Sequence, residues 1–342
     1  MAVAVLAGLI AATAAAGAAV ALVQRPRTTS PPRPAPPSTP FVFPTSAPTP
    51  VPRGPVLGFG FSVADDPATR QVVVFGGVDS YDTTWLWNGL RWTLAKPRTS
   101  PPGRFGAAIA YDPASHMVML FGGRLDQGIV EDDTWGWDGT TWHELDTGRN
   151  GPPPGEGAQM AWDSSRNQMV LVAPSAVNAG GETWTWASSH WTRDGGALTL
   201  APFGGAMSYD PISRSLLLVN PEPPEGAHTS TLRWTGTAWR TIISGGPAIA
   251  GLALDPQSGG LVLVGAETYS TAFAVQSEVW QWTGRDWIPS PGAAPPVTIA
   301  AEVEDVDRDQ ILIFGSAVSP TQGSPQPVQV WYWDGVAWVP LG

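Results

Sequence analysis

The densest group of side chains that could do chemistry is the acidic run at residues 302–309, which reads EVEDVDRD. Carboxylates at alternating positions are typical of a calcium-binding loop, and the run resembles such a loop at first sight. It lacks the glycine at the sixth position and the acidic residue at the twelfth that this loop uses. Asp305 also occupies a turn position that recurs along the chain. We therefore expect a solvated hairpin here and no metal site.

Other side chains that commonly carry catalysis do not form a shared site in the sequence. The histidines occupy unrelated positions and no His-x-x-x-His spacing occurs: they are His116, His143, His190 and His228. The chain has no cysteine, which removes disulfides, thiolate nucleophiles and thiolate metal ligands. The absence of G-x-S-x-G excludes that serine elbow but not every hydrolase. We predict no cofactor and no metal, and we assign no catalytic residue.

Four residues are candidates for ligand contacts because of where they lie between regular segments. Arg104 and Glu156 stand in linkers rich in glycine and proline, and Tyr269 and Glu278 belong to the long stretch 266–278. Loops on a rigid scaffold are the usual place for recognition. For Arg104 and Glu156 the alternative is a side chain that is solvated or bridges neighbouring units.

A tryptophan pattern, W-x-W-x4-W, defines the elements that must position these residues. It recurs six times, and its second tryptophan returns after 50, 49, 48, 48 and 51 residues. Its members are Trp85, Trp87, Trp92, Trp135, Trp137, Trp142, Trp184, Trp186, Trp191, Trp234, Trp239, Trp280, Trp282, Trp287, Trp331, Trp333 and Trp338, with Leu232 in the remaining place. A variable period around an invariant core indicates one supersecondary unit repeated with loops of changing length.

Each unit is predicted to be a meander of four antiparallel strands separated by turn residues. An aspartate ends the first strand of every unit: Asp66, Asp112, Asp163, Asp210, Asp255 and Asp305. Asp-Pro favours a tight turn, and Asn-Gly or Asp-Gly between the last two strands predicts a short hairpin with positive φ at both residues. The W-x-W pair shares one strand face, so we interpret the tryptophans as packing between units. A carbohydrate-stacking platform is the alternative.

The second unit resembles a Kelch repeat. The resemblance is carried by the segment PGRFG at 102–106, Tyr111-Asp112, the diglycine Gly122-Gly123, Trp135 and Trp142. It implies an all-β fold, a six-bladed β-propeller of four-stranded antiparallel blades, over residues 57–342. The diglycine is retained only in the first two units. The Kelch-type superfamily includes galactose oxidase, but its copper site needs a cysteine crosslinked to tyrosine, and this chain has none.

The N-terminal region differs from the repeats. Residues 1–24 include an uncharged run of 22 residues, long enough as a helix to cross the hydrocarbon core of a bilayer. We expect a membrane anchor or an export signal cleaved near Ala21. Residues 25–56 are rich in Pro, Ser and Thr and predict a disordered spacer. The predicted location is an extracytoplasmic domain anchored at the cell envelope, with secretion or a cytoplasmic orientation as alternatives.

Function is predicted from charge and from the loops. The net charge of −11 argues against nucleic acid as a partner. The length variation falls in one set of loops, at 78–83, 124–132, 174–182, 221–228, 266–278 and 316–329. We expect a non-catalytic domain that recognises an unknown protein or glycan through the last two. The alternatives are a carbohydrate-active enzyme, of a sialate-epimerase or glycosidase type with its site in the central channel, and a spacer without a ligand site.

Overall fold

Six antiparallel sheets of four strands follow one another along the chain. They are seen in a computed structural model that describes residues 54–56, 60–78, 81–174, 180–199, 205–222, 228–247, 249, 251–266, 277–290, 294–295, 297–317 and 328–341. Blade 1 holds β1 (Ser62–Asp66), β2 (Gln71–Phe75), β3 (Thr84–Trp87) and β4 (Trp92–Leu94). Blade 2 holds β6 (Ala108–Asp112), β7 (Met117–Phe121), β9 (Thr134–Trp137) and β10 (Trp142–Asp146), beside a small pair, β5 (Arg104–Phe105) and β8 (Arg124–Leu125).

The remaining four blades repeat this order. Blade 3 holds β11 (Gln159–Asp163), β12 (Gln168–Pro174), β13 (Gly180–Ala187) and β14 (His190–Thr199). Blade 4 holds β15 (Ala206–Asp210), β16 (Ser215–Pro221), β17 (Thr229–Trp234) and β18 (Trp239–Gly246). Blade 5 holds β19 (Gly251–Asp255), β20 (Gly260–Ala266), β21 (Ser277–Trp282) and β22 (Trp287–Pro289). Blade 6 holds β23 (Val297–Asp305), β24 (Gln310–Ala317), β25 (Gln329–Trp333) and β26 (Trp338–Pro340), with a 3₁₀ turn at Val306–Arg308.

The first strands of the blades form the centre of the ring. Each of β1, β6, β11, β15, β19 and β23 contacts the first strands of its neighbours, and β23 contacts β1 to close the circle. Each blade runs from its first to its fourth strand without exchanging a strand with another blade. The predicted all-β, six-bladed propeller of four-stranded antiparallel blades is therefore confirmed.

The second strand of each blade forms the core between blades. In β2, the residues at 72–75 are all apolar and almost fully buried, and the corresponding stretch of β7 is equally closed to solvent. A continuous apolar run of this length is typical of a strand buried on both faces. The two faces of each blade therefore pack against two different neighbouring blades. If polar residues alternated with apolar ones along the second strand, one of these faces would have no apolar surface to pack.

The tryptophans pack at these seams. The second and third tryptophans of each repeat are paired across the last hairpin, with ring centroids 5.0–5.5 Å apart. In the seam between blades 1 and 2, Trp137 and Trp142 lie in one cluster with Val73 and Phe75 of the preceding blade. At the closing seam, Trp92 lies 5.5 Å from the ring of Phe314 in blade 6. Burial of large rings against the preceding blade thus holds successive blades together.

A polar contact that the sequence analysis did not predict recurs at four seams. The Nε1–H of the third tryptophan donates to the threonine that precedes the first tryptophan of the preceding blade, or Leu232 in its place in blade 4. The pairs are Trp142 with Thr84, Trp191 with Thr134, Trp239 with Thr183 and Trp287 with Thr231, at 2.8–3.0 Å. In the seam between blades 5 and 6 the corresponding residue is Val279, and the Nε1 of Trp338 has no hydrogen-bond partner among the described residues.

The recurring aspartates close the first turn of each blade. In blades 1 to 5 they accept from backbone N–H groups, and in blade 6 Asp305 accepts instead from the side chains of Arg308 and Gln310. Asp66 accepts from the backbone N–H groups of Ala68 and Thr69, and Asp112 accepts from that of Ala114 at 2.9 Å. An aspartate that bonds to the backbone two and three residues on fixes the turn locally. This role in closing the turn explains why the position is aspartate in every blade, although its side chain is buried.

The hairpin between the third and fourth strands differs from the expected two-residue turn. In five blades it is a loop of four residues, and in blade 1 only Gly89 has a positive φ (86°). Blade 3, which lacks the glycine, has a two-residue loop instead, with positive φ at Ser188 (53°) and Ser189 (64°). The side-chain oxygen of Asn88 accepts from the N–H groups of Leu90 and Arg91. For the Asn-Gly and Asp-Gly turns the expectation of positive φ at both residues is wrong, because the side chain at the first position, not its backbone, closes the loop.

The two kinds of turn meet at one end of the ring. A Cβ atom at Gly89 would lie only 2.1 Å from Nε of Arg308, which belongs to the first turn of blade 6. The guanidinium of Arg308 donates to the carbonyl of Asn88. In the same way a Cβ at Gly139 would lie 2.5 Å from the Thr69 side chain of blade 1. Each last hairpin therefore packs on the first turn of the preceding blade, and glycine permits the close approach.

The predictions for the N-terminal region concern residues that lie mostly outside the described part of the chain. The anchor at 1–24 and the spacer up to residue 53 are both outside it. The carbonyl of Pro55 accepts from Val328 at 3.2 Å, so the end of the predicted spacer contacts blade 6. Within the described ranges, the structure contains no helix long and apolar enough to cross a membrane.

Candidate ligand-binding site in the central channel

A cavity of about 480 Å³ opens in the central channel, and all six blades line it. The lining residues come from the first strands and from the residues that follow the turn aspartates, such as Pro67 and Pro113. The cavity therefore lies at the end of the ring where the regular turns meet. Its volume falls within the range of about 300–1,000 Å³ that is usual for small-molecule sites.

The side chains that line the cavity form two layers because residues two apart on a strand share a face. Counting back from the turn aspartate, the residues one position before it form the outer layer: Asp65, Tyr111, Trp162, Tyr209, Leu254 and Glu304. The residues three positions before it form the inner layer: Val63, Ile109, Met160, Met207, Leu252 and Glu302. The inner layer is apolar except for Glu302, so most of the chemical variety is at the mouth.

Blades 2, 3 and 4 place three aromatic rings side by side at the mouth, and we call Tyr111, Trp162 and Tyr209 the aromatic arc. All three are partly exposed. The hydroxyl of Tyr209 lies 2.8 Å from the hydroxyl of Ser165, which fixes the ring against the turn of blade 3. Rings held in this way offer flat apolar surface with polar groups at their edges.

Blades 6 and 1 place three carboxyl groups on the opposite side, and we call Asp65, Glu302 and Glu304 the acidic arc. Asp65 is 8% exposed and accepts a hydrogen bond of 3.2 Å from the N–H of Val306. Burial raises the pKa of the Asp65 carboxyl to about 8. The Val306 N–H lowers this pKa, and the charges of Asp305, Glu304 and Asp307 raise it further.

Glu302 is the most unusual member of the acidic arc. Both of its carboxyl oxygens are buried and have no hydrogen-bond partner among the described residues. Burial raises the pKa of this carboxyl well above its ordinary value. The N–H of Val264 lowers this pKa in part, although its geometry falls short of a hydrogen bond. A Cβ atom at Gly251 would lie 2.5 Å from Cβ of Glu302 and 2.6 Å from its Oε2. The missing side chain of Gly251 therefore makes the space in which Glu302 fits.

Glu304, which is two residues nearer the turn than Glu302, completes the acidic arc. Burial raises the pKa of its carboxyl to about 7, and the charges of Asp255 and Asp309 act in the same direction. None of the described residues that line the cavity is lysine, arginine or histidine. The carboxyl groups of the arc therefore lack a basic neighbour at the cavity wall, and Asp65 and Glu304 lose their protons near pH 8 and pH 7 instead of near pH 4.

The expectation of a solvated hairpin at 302–309 is wrong for its first half. Asp305 is the turn aspartate, as predicted, but it is fully buried and accepts from Arg308. Glu302 and Glu304 face the channel instead of bulk water. Their alternation, E-x-E before a turn aspartate, is the sequence signal that places both on one face, but the sequence does not show that this face lines a cavity. Among the described residues, no group of three His, Cys, Asp or Glu side chains is placed to hold a metal ion.

Arg104 lies away from the channel mouth and inside the protein. It is 1% exposed; its Nη1 donates to Gly122 O and Asp133 Oδ1, its Nη2 to Asp133 Oδ2, and its Nε to Pro102 O. Asp133 also accepts from the indole of Trp135. All three guanidinium nitrogens are engaged, so this placement gives Arg104 the bridging role that was the alternative to ligand contact.

The other three binding candidates are not brought together with Arg104. Glu156 forms an ion pair of 3.4 Å with Arg124, whose guanidinium carbon lies 4.9 Å from the ring centre of Phe105. Glu278 is exposed on β21. Tyr269 lies outside the described residues, as do most residues of the fifth and sixth loops. The recognition surface predicted there stays a prediction.

Solved structures with the same architecture cover most of the chain. YjhT is 13% identical with a TM-score of 0.57, covering 85% of this chain and 99% of its own. A protein of unknown function from Dyadobacter fermentans is 10% identical with a TM-score of 0.58, covering 82% and 96%. The Aleuria aurantia lectin in complex with Fucα1-6GlcNAc is 14% identical with a TM-score of 0.51, covering 82% and 94%.

These likenesses establish a shared fold. The lectin is itself described as a six-bladed β-propeller with a novel mode of fucose recognition. No protein-family model matches the chain, and no curated protein matches it either. What the cavity binds must therefore be argued from its own residues.

Proposed function

We propose that this protein is a carbohydrate-binding propeller whose site is the cavity of the central channel. The observation that carries the proposal is the opposition of the aromatic arc to the acidic arc across one mouth. Sugar rings present an apolar face of C–H groups and a rim of hydroxyl groups. Aromatic rings suit the first, and carboxyl groups that lack protein partners suit the second.

The fold neighbours add support of a general kind. The Aleuria aurantia lectin shows that a six-bladed propeller can recognise fucose. The apolar inner layer is also consistent with a binding pocket, because small-molecule sites combine mostly apolar walls with a few polar groups that fix orientation. Recognition of a glycan agrees with one half of the sequence-based prediction, which left protein and glycan open.

A glycan array with the full chain tests this proposal, followed by calorimetric titration of the best ligand. Trp162→Ala is expected to weaken binding by about fivefold to 150-fold, because removal of a stacked ring typically costs about 1–3 kcal/mol. Leu90→Ala is the control, because Leu90 is exposed at a hairpin tip outside the cavity. Equal loss in both variants, or binding unchanged by Trp162→Ala, would exclude the cavity as the site. Silence on the array would favour the spacer role.

A second candidate function is hydrolysis or rearrangement of a bound sugar. It is favoured by the raised pKa values of the acidic arc, since a carboxyl that keeps its proton near neutral pH can act as a general acid. Incubation of the protein with any glycan that binds on the array, with chromatography to detect a product, distinguishes the two functions. Turnover that is lost in Glu304→Gln would establish the enzyme, whereas tight binding without product would leave the recognition role.

We also propose a cellular location and a relationship of the blades to Kelch repeats, both on the basis of the sequence. The hydrophobic run and the Pro-rich spacer support display at the cell envelope, and the repeat pattern supports a Kelch-like origin of the blades. Fractionation of cells that produce the full chain or a chain starting at residue 57 tests the location. Recovery of the full chain in the soluble fraction, uncleaved, would contradict it.

The loop at 266–278 is proposed as an additional contact surface for a partner, with Tyr269 and Glu278 as its candidate residues. Replacing this loop by a short turn should abolish capture of a protein partner without lowering the melting temperature. Unchanged capture by the shortened variant would remove this surface from consideration.

A further inference from the structure

The acidic arc narrows the kind of ligand that the cavity can take. Three carboxyl groups line one side of a single cavity, and none of the described lining residues supplies a positive charge. Two basic side chains beside the acidic residues 305–307 are already engaged, since Arg70 pairs with Asp307 at 3.0 Å and Arg308 pairs with Asp305 at 3.0 Å. An anionic sugar would have to enter this field without a compensating partner, which is costly at a partly buried site.

The unpartnered oxygens of Glu302 point to a missing hydrogen-bond donor. A buried carboxyl without partners is destabilising, and folded proteins normally supply donors for such a group. The space beside Gly251 holds the carboxyl in position, so its placement is specific. The aromatic arc faces it across the mouth, and aromatic faces attract cations as well as apolar surface. Both walls of the cavity therefore favour the same kind of ligand.

We propose that the cavity selects a sugar that carries a free, positively charged amino group, with the ammonium at the acidic arc and the ring face on the aromatic arc. This inference rests on the proposed function and adds the charge of the ligand to it. An ammonium group balances the charge of the arc, and it supplies the donors that the oxygens of Glu302 lack once that side chain turns from Gly251 toward the cavity. An acetylated amine loses that charge, so acetylation should be the feature that the site rejects.

Binding of a cation should also depend on pH, because protons compete with it for the arc. The charged groups that act on the acidic arc from neighbouring turns are Asp255, Asp305, Asp307 and Asp309. Arg308 forms an ion pair with Asp305, and Arg70 forms one with Asp307. Since Glu304 and Asp65 lose their protons near pH 7 and pH 8, a ligand of fixed positive charge should bind more tightly as pH rises from 6 to 9.

The test compares two disaccharides that differ only in acetylation, β-1,4-linked diglucosamine and its N,N′-diacetyl form, with benzyltrimethylammonium as a cation that is not a sugar. Affinities for the full chain are measured by calorimetry. We expect at least tenfold preference for the free amine, and a tenfold loss of that affinity in Glu302→Gln and in Glu304→Gln. Glu144→Gln, which removes an exposed carboxyl on β10, is the matched control and should change neither affinity.

The outcomes separate this inference from the proposed function. Equal or tighter binding of the diacetyl form overturns the inference and leaves the carbohydrate site intact. Binding of benzyltrimethylammonium that rises with pH, without binding of either disaccharide, supports cation selection and overturns the carbohydrate proposal. Absence of binding by all three probes overturns both. A preference for the free amine that survives Glu302→Gln and Glu304→Gln overturns the assignment to the acidic arc.

Discussion

Two regions of the molecule bury ionisable side chains in opposite ways. Beside blade 2, the guanidinium of Arg104 is enclosed and every one of its nitrogens donates, two of them to Asp133. In the channel, the carboxyl of Glu302 is enclosed and has no partner among the described residues. Burying charge is costly in both places, but only the first is compensated within the protein. We interpret the first region as structural and the second as prepared for a ligand.

The largest expected effect would come from breaking the compensated pair. Asp133→Ala leaves the guanidinium of Arg104 buried with only carbonyl partners, and removal of one member of a buried pair typically costs about 3–5 kcal/mol. The free energy of unfolding, measured by chemical denaturation, should fall by that amount. Asp126→Ala is the control because Asp126 is an exposed carboxylate in the neighbouring loop. A loss below about 1 kcal/mol would show that the pair is not the structural element we infer.

The uncompensated region should show itself in the pH dependence of stability. The pKa of Asp65 is raised from 3.8 to about 8 and that of Glu304 from 4.5 to about 7. Between about pH 4 and pH 8 the folded state therefore binds more protons than the unfolded state, and the free energy of unfolding must fall as pH rises. This stability is fully present below about pH 4 and is lost as pH passes the folded-state pKa values.

Denaturation curves from pH 4 to pH 9 check this prediction. Asp65→Asn and Glu304→Gln should each reduce the slope, because an amide cannot lose a proton in this range. A slope that is the same in both variants as in the parent chain would show that the acidic arc ionises normally and is solvated. That result would remove the contrast with the Arg104 region.

A smaller effect is expected where a neutral buried donor has a partner. Thr84 accepts the indole N–H of Trp142 at 2.9 Å, and both side chains are almost fully buried. Thr84→Val should lower the free energy of unfolding by about 1–2 kcal/mol, because it leaves that donor unsatisfied. Thr84→Ser keeps the hydroxyl and should recover most of the loss. Equal destabilisation by valine and serine would assign the effect to packing and not to the hydrogen bond.

The smallest effect should be the gain from supplying a partner where one is missing. Val279 stands where four other seams have threonine, and the Nε1 of Trp338 has no partner among the described residues. Val279→Thr should raise the free energy of unfolding by about 0.5–1 kcal/mol, the usual net value of one hydrogen bond. Thermal denaturation of Val279→Thr, compared with that of Val279→Ala, which has no hydroxyl, checks this prediction. Destabilisation by threonine would mean that the seam cannot orient the hydroxyl toward the indole.

Much of the fold could be predicted from the sequence because its signals are local. The spacing of Trp87 and Trp92 fixes a hairpin, and the recurrence of Asp66 and its equivalents marks the end of each first strand. Four strands in each of six units follow from these signals alone. The type of the last turn was missed, because Asn88 closes it through its side chain, which spacing does not reveal.

The candidate site was predicted less well than the fold. Arg104 was considered for ligand contact because it lies in a linker, yet Asp133, distant in sequence, encloses it. Glu302 and Glu304 were assigned to a solvated hairpin because the local pattern is polar. A residue's neighbours across a closed ring come from other blades, and no local pattern contains them.

By itself, the sequence determined the repeat, the strand count and the turns, because each depends on residues a few positions apart. The tertiary structure alone decided which buried charges are compensated. Asp65 and Glu302 are 237 positions apart, and they line the same cavity only because β23 closes on β1. They face Tyr111 and Trp162 only because six first strands surround one channel. Ring closure thus turns scattered polar residues into a site, and closure is a property of all six blades together.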